Sequence, residues 1–287
     1  MKRINEILRN KSLKPKKYYK QGKAYIIELE DYKVVLKKNT TDIYKYLDDR
    51  NFDYYPNTEI VDGYDIIEYI EDDNLMDDSK INRIIYLMSL LHNKTTFYKV
   101  VDNFEYKDVY ESISKVIIDR KEYYNNIMDL IETENYMSPS HYFLARNITN
   151  VFNALDYCEY ELKKWYEQVK DLKKMRQSII HNNLDMSHYL NNKLISWGKA
   201  KFDFPVFDIE QIYRRTYKDF VWDELLNDYL SQNMLHDEEI QLLHIIISIP
   251  EEIKFTDDEY QNTIIVNNLV EYISKTSELV LENKKVE

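Results

Sequence analysis

The hydrophobic pattern of this chain changes period once. From Tyr18 to Asn39 the apolar residues are β-branched or aromatic and come in short runs, Tyr25-Ile26-Ile27-Glu28-Leu29 and Tyr32-Lys33-Val34-Val35-Leu36-Lys37. Such runs suit strands, and Glu30-Asp31 between them predicts a turn. A second pair, Glu59-Ile60-Val61 and Tyr64-Asp65-Ile66-Ile67-Glu68-Tyr69-Ile70, flanks Asp62-Gly63. That dipeptide favours a two-residue hairpin turn, because both positions need a positive φ. Between the pairs, Thr41 to Asp49 predicts a short helix. The expectation is a mixed sheet over residues 18–70.

After Asn74 the spacing becomes helical. Ile81, Ile84, Ile85, Met88 and Leu91 recur at intervals of three and four behind Ser79, which suits an N-cap. Val109, Ile113, Val116, Ile117 and Tyr124 repeat the pattern within Tyr106–Leu130. Ser138-Pro139 opens a stretch through Ile148, Phe152, Leu155, Leu162, Trp165, Val169 and Leu172, long enough to predict a break. Asp208–Leu230 and Asp237–Ile247 are further helices, and Thr256-Asp257-Asp258-Glu259 reads as a capping box before the last one. Strands first and helices afterwards predict an α+β chain: a small β-rich N-lobe over residues 18–73 and a large helical C-lobe over 74–287. No internal repeat interrupts this order.

Composition sharpens the picture in three places. Three glycines and five prolines in 287 residues favour long helices over a turn-rich fold. The 27 tyrosines, with abundant Asn, Lys and Ile, follow the coding style of an AT-rich genome and do not by themselves argue for an aromatic binding surface. Charge is uneven: residues 1–40 carry twelve Lys/Arg against four Asp/Glu, while the remaining 247 carry 27 against 47, giving −12 in total. Residues 1–17 are expected as a solvated basic arm, able to meet phosphate, an anionic surface or the acidic body of another copy. The acidic remainder would repel a polyanion, so no nucleic-acid partner is expected. Met1–Asn10 has charge and no apolar run, Leu242–Ile249 is too short to span a bilayer, and Cys158 is the only cysteine. These features predict a cytoplasmic protein with no membrane span.

The candidate chemistry lies in residues 181–209. They read His181-Asn182-Asn183-Leu184-Asp185-Met186-Ser187-His188-Tyr189-Leu190, then Leu194-Ile195-Ser196-Trp197, then Phe204-Pro205-Val206-Phe207-Asp208-Ile209. This order resembles the aminoglycoside phosphotransferase and choline kinase superfamily. Its members carry a His-Gly-Asp-Leu-His-x-x-Asn-hydrophobic-Leu loop, a hydrophobic-Asp-Trp triplet and a Pro-Leu-Tyr-Asp-Leu segment. His181, Leu184, Leu190, Ile195, Trp197, Pro205 and Asp208 match that framework. The resemblance implies a bilobal protein kinase-like fold with residues 181–197 as its catalytic loop and cleft floor.

The reactive positions depart from the family. Asn183 stands where the catalytic base would be, His188 where the metal-binding Asn would be, and Ser196 where the metal-binding Asp would be. An amide cannot accept a proton as a carboxylate does, which forgoes a factor of roughly 10²–10⁴ in rate. A hydroxyl and an imidazole are poor magnesium ligands, since that ion prefers charged hard oxygens. Asp185 and Asp203 are the carboxylates near enough in sequence to substitute. His181 and His188 find no third ligand along the loop, so no zinc site is expected. Elsewhere, the resemblance implies that Lys37 on its strand faces phosphate, with Lys20 and Lys23 in the phosphate-covering turn. It further implies that Glu68, Tyr69 and Ile70 form the adenine-contacting linker. His181, Trp197 and Asp208 would brace the loop, and His92 would lie buried beneath it. No helix-borne Glu is available to pair with Lys37.

Two readings follow. The first is a pseudoenzyme, a kinase-fold binding or scaffold protein that takes a protein partner or a small cationic molecule. Spore-coat kinase-like proteins with eroded motifs look similar, which implies a spore-associated place for such a chain. The alternative is an active ATP-dependent small-molecule phosphotransferase working through a relocated acidic residue, Asp185 or Asp203. ATP is the cofactor the resemblance implies in either case; magnesium is not supported by the residues present.

Overall fold

The structure, a computed structural model, describes residues 2–283. In chain order the elements are α1 (Lys2–Asn10), β1 (Lys17–Gln21), β2 (Ala24–Glu28), β3 (Lys33–Lys38), α2 (Tyr44–Asp49), β4 (Thr58–Val61) and β5 (Tyr64–Glu68). They are followed by α3 (Asp77–Thr95), β6 (Phe97–Val100), α4 (Asn103–Glu132), α5 (Pro139–Val169) and β7 (Lys174–Ile180). The rest are β8 (Tyr189–Leu190), β9 (Lys193–Leu194), β10 (Lys201–Asp203), α6 (Val206–Thr216), α7 (Trp222–Gln232), α8 (Asp237–Ser248) and α9 (Glu259–Asn283). This is a bilobal chain, with a small N-lobe of β1–β5 and a larger helical C-lobe of α4–α9.

The first five strands form one sheet in the order β1-β2-β3-β5-β4. Every pairing in it is antiparallel, which corrects the mixed sheet expected over residues 18–70. The hairpin at Asp62-Gly63 has φ of 51° and 78°, the positive pair that its dipeptide permits. Because side chains alternate across a strand, the sheet has two distinct faces. Tyr25, Ile27, Val34, Leu36, Tyr64 and Ile66 lie on one, packed with Ile7 and Leu8 of α1. The segment expected as a solvated arm therefore contains a helix whose Ile7 and Leu8 cap the sheet, at 1% and 2% exposure.

The chain divides into two compact units. One takes residues up to Thr96 together with Ser178–Asp208 and Ser231–Asn233; the other takes Phe97–Gln177, Ile209–Leu230 and the residues from Met234 onward. Helix α3 and the 181–199 segment thus belong to the same unit as the sheet. In that unit Thr95 Oγ1 accepts from Ile179 N at 3.0 Å, fixing the end of β7 against α3. Ser79 falls inside the first turn of α3, and the N-cap is Met76, with no side-chain bond.

The second unit is built on α5. It runs 31 residues without the expected break, opened by Ser138, whose Oγ accepts from His141 N. Trp165 and Cys158 are buried along it, the indole donating to Glu238 O at 3.0 Å. Burial pushes the Cys158 thiol far above its ordinary range, so it is a packing residue. The helical stretch expected at Asp208–Leu230 is two helices, α6 and α7. At α9 the cap is Asp258, whose Oδ1 accepts from Tyr260 N at 2.9 Å. Among the described residues no helix is long and apolar enough to cross a membrane.

Candidate functional site

The second face of the sheet lines a cavity of about 560 Å³ within the first unit. Ala24, Ile26, Val35, Lys37, Asp65 and Ile67 all point there, which is the alternation of β2, β3 and β5 read from the other side. Leu190, Ile195, Ser196, Trp197 and Gly198 line it from the 181–199 segment, with Ser187 and His188. Gly22 and Lys23 at the β1–β2 turn and Glu68, Tyr69 and Ile70 at the end of β5 and beyond it also line the cavity. Gly22 adopts φ of 57°, which a residue without Cβ reaches at no cost. Lys20, by contrast, pairs in register with Tyr25 and so lies on the α1 side of the sheet, away from the cavity.

The loop is held by one buried carboxylate. Asp208 is fully buried and accepts from His181 N at 2.6 Å, from Asn182 N at 2.7 Å and from His92 Nε2 at 3.1 Å. It sits in the first turn of α6 and directs its oxygens to the loop instead of capping the helix. His181 is also fully buried, and its Nε2 donates to Ile195 O at 2.8 Å, which assigns the tautomer. Burial pulls the His181 imidazole down to about 4. Trp197 packs on that ring at 4.7 Å and donates from Nε1 to Leu194 O at 2.6 Å. Asn182 Nδ2 reaches Lys199 O at 3.1 Å, closing the loop onto the turn that follows Ser196.

At the degenerate positions, His188 Nδ1 donates to the backbone oxygen of Asn183 at 2.6 Å, so this imidazole is tied to the loop it stands on. Ser196 holds a left-handed conformation, φ 71° and ψ 37°. Six of the eight non-glycine residues with positive φ among the described residues are Asn or Asp; Ser196 and Ser12 are the others. The backbone at 196 is one that an Asp or Asn adopts more readily than Ser.

The candidate substitutes lie elsewhere. Asp185 does not line the cavity, and its Oδ1 accepts from Ser187 N at 2.8 Å and Ser187 Oγ at 2.6 Å as the cap of a 3-10 turn. Asp203 accepts from Phe204 N at 2.9 Å and pairs with Lys201 at 2.5 Å. The lining carboxylates are Asp65 and Glu68. Glu68 pairs with Lys193 at 2.9 Å, an interaction that holds its carboxyl below the usual range.

Asp65 is a residue that the sequence did not single out. It is 3% exposed, directly opposite Lys37 in the β3–β5 register, and accepts from Asn39 Nδ2 at 2.6 Å. Burial raises its carboxyl above the ordinary range, against the lowering effect of Asn39 and Lys37. Lys37 is lowered by burial and by the nearby Lys23 and Lys199, and raised by Asp65. Lys37 thus has an acidic neighbour on the adjacent strand, although no Glu is offered by α2. Gly198 makes room for its ammonium: a Cβ there would stand 3.0 Å from Lys37 Nζ and 2.8 Å from Thr40 Oγ1.

The lining fits a nucleotide and does not fit magnesium. Ile26, Val35, Ile67, Leu190 and Ile195 offer apolar surface to a flat base, and Lys23 and Lys37 offer charge to phosphates. Where the resemblance implies metal ligands, Ser196 and His188 offer a neutral hydroxyl and an imidazole already bonded to backbone. Among the described residues no three His, Cys, Asp or Glu side chains gather into a metal centre.

No family model matches the chain, and a search of curated proteins returns no match. Solved structures do match. An aminoglycoside phosphotransferase from Alicyclobacillus acidocaldarius superposes with a TM-score of 0.72 at 10% identity, covering 94% of this chain and 92% of that one. The fold is protein kinase-like. A spectinomycin phosphotransferase in complex with ADP and spectinomycin gives 0.56 at 12% identity, over 96% and 98% of the two chains. The choline kinase LicA of Streptococcus pneumoniae gives 0.51 at 14% identity, over 98% of each. At these identities the likeness to these phosphotransferase and choline kinase structures is one of fold.

Proposed function

We propose that this chain is a kinase-fold pseudoenzyme that holds an ATP-class nucleotide in the cavity and does not transfer phosphoryl groups. One observation carries the reading: among the described residues, the carboxylates lining the cavity are Asp65, hydrogen-bonded by Asn39, and Glu68, paired with Lys193. Phosphoryl transfer needs an acidic group at the acceptor hydroxyl and metal ions on the phosphates. Asn183, His188 and Ser196 supply neither. Lys37 and Lys23 would hold the phosphates, and the segment Glu68–Ile70 would border the base. Such a protein would act through its bound state, on a protein partner or a small cationic molecule matched to its acidic body, in the cytoplasm or in a spore-associated setting.

The second reading is an active small-molecule phosphotransferase. It is favoured by the names of the similar structures, two phosphotransferases and a choline kinase, and by the lysine-bearing cavity. It requires Asp185 or Asp203 to leave its present bonds and act as base. The discriminating experiment incubates the full chain with ATP, magnesium and a panel of amino sugars and amino alcohols, and measures ADP release. The pseudoenzyme reading expects none above the protein-free rate. Turnover that disappears in Asp185→Ala or Asp203→Ala would establish the second reading.

A further inference from the structure

We infer that the cavity binds nucleoside di- and triphosphates without a divalent metal, the phosphate charge being met by Lys37 and Lys23. This rests on the reading of the cavity as a nucleotide site and specifies its ligand. In a magnesium-dependent site the metal joins anionic phosphates to anionic carboxylates, and without it those groups repel. Here the residue at 196 is a hydroxyl and the residue at 188 an imidazole bonded to Asn183 O, so both the metal's ligands and the repulsion are gone. A metal-free polyphosphate then meets no opposing charge from that wall.

The cations that remain are placed for the task. Lys37 is half-buried on the cavity face of β3, and Lys23 stands at the turn beside it. Lys199, next to Gly198, is also near enough to depress the Lys37 ammonium, so three like charges crowd this end of the cavity. An anion would relieve that crowding. Of the two lining carboxylates, Glu68 is already matched by Lys193, and Asp65 faces Lys37 across the β3–β5 register and offsets that one ammonium, which leaves Lys23 and Lys199. The balance of charge left for a ligand is positive.

The test is calorimetry on the full chain with ADP and ATP, once with EDTA and once with excess magnesium, with adenosine as the phosphate-free control. We expect binding in EDTA at least as tight as in magnesium, and weaker binding of adenosine. Lys37→Met and the exposed, fold-neutral Lys23→Ala should each weaken ADP binding about tenfold in EDTA and leave adenosine unchanged. Ser196→Asp should weaken binding in EDTA and make it respond to magnesium. Binding seen only with magnesium would overturn the inference and leave the nucleotide site standing. Failure of every nucleotide to bind under either condition would overturn both.

Discussion

Ser196 and His181 set how the loop over residues 181–199 is held. Ser196 keeps a left-handed backbone, which costs a non-glycine residue about 1–3 kcal/mol unless its side chain suits the region. Ser196→Asn should therefore be neutral or stabilising by up to about 1 kcal/mol, and Ser196→Val should cost about 1–3 kcal/mol, both read by urea unfolding. An unchanged midpoint in the valine variant would contradict the geometry. His181 folds into a fully buried, neutral state, lowered to about 4 from an ordinary value of 6.5. Its contribution is complete above pH 6.5 and is lost as pH falls toward 4, because the unfolded chain takes up the proton first. The window is worth roughly 3 kcal/mol at most. His181→Gln should flatten the stability profile between pH 6.5 and 4 relative to the parent. The motif positions were legible because their spacing survives substitution. Asp65 was not, because its meeting with Lys37 depends on the β3–β5 register across an intervening helix and strand.

Among the elements, α1 departs furthest from expectation. Lys2, Arg3 and Arg9 mask the pair Ile7 and Leu8, so the segment reads as solvated charge, yet those two residues cover the apolar face of the sheet. Leu8→Ala should cost about 2–5 kcal/mol in equilibrium unfolding; a change below about 0.5 kcal/mol, typical of a surface site, would restore the arm. The strands of the N-lobe were legible because one face of each is apolar and the turns carry Asp-Gly or Gly. Strand β7 was not. Lys174-Met175-Arg176-Gln177 puts long polar side chains in front of its buried Ser178-Ile179-Ile180, and the run follows a helix without a strong breaker. The unbroken α5 is the opposite case: packing along α4, α8 and α9 holds 31 residues in one helix where propensity alone gave no reason for such length.

For the whole molecule, a chain with about one residue in ten identical to its structural counterparts retains their fold over nearly its full length. Within that fold this chain carries the sheet with its cavity face, Asp208 beneath the loop, and Trp197 on His181. On the proposed reading, Asn183, His188 and Ser196 take the places of groups that chemistry alone requires. A pseudoenzyme should therefore regain chemistry when those side chains return. The direct test is ATP turnover by the unmodified chain and by the triple variant Asn183→Asp, His188→Asn, Ser196→Asp, with magnesium present. The account predicts no turnover from the unmodified chain and measurable ADP release from the triple variant. Robust turnover by the unmodified chain, lost in Lys37→Met, would contradict it.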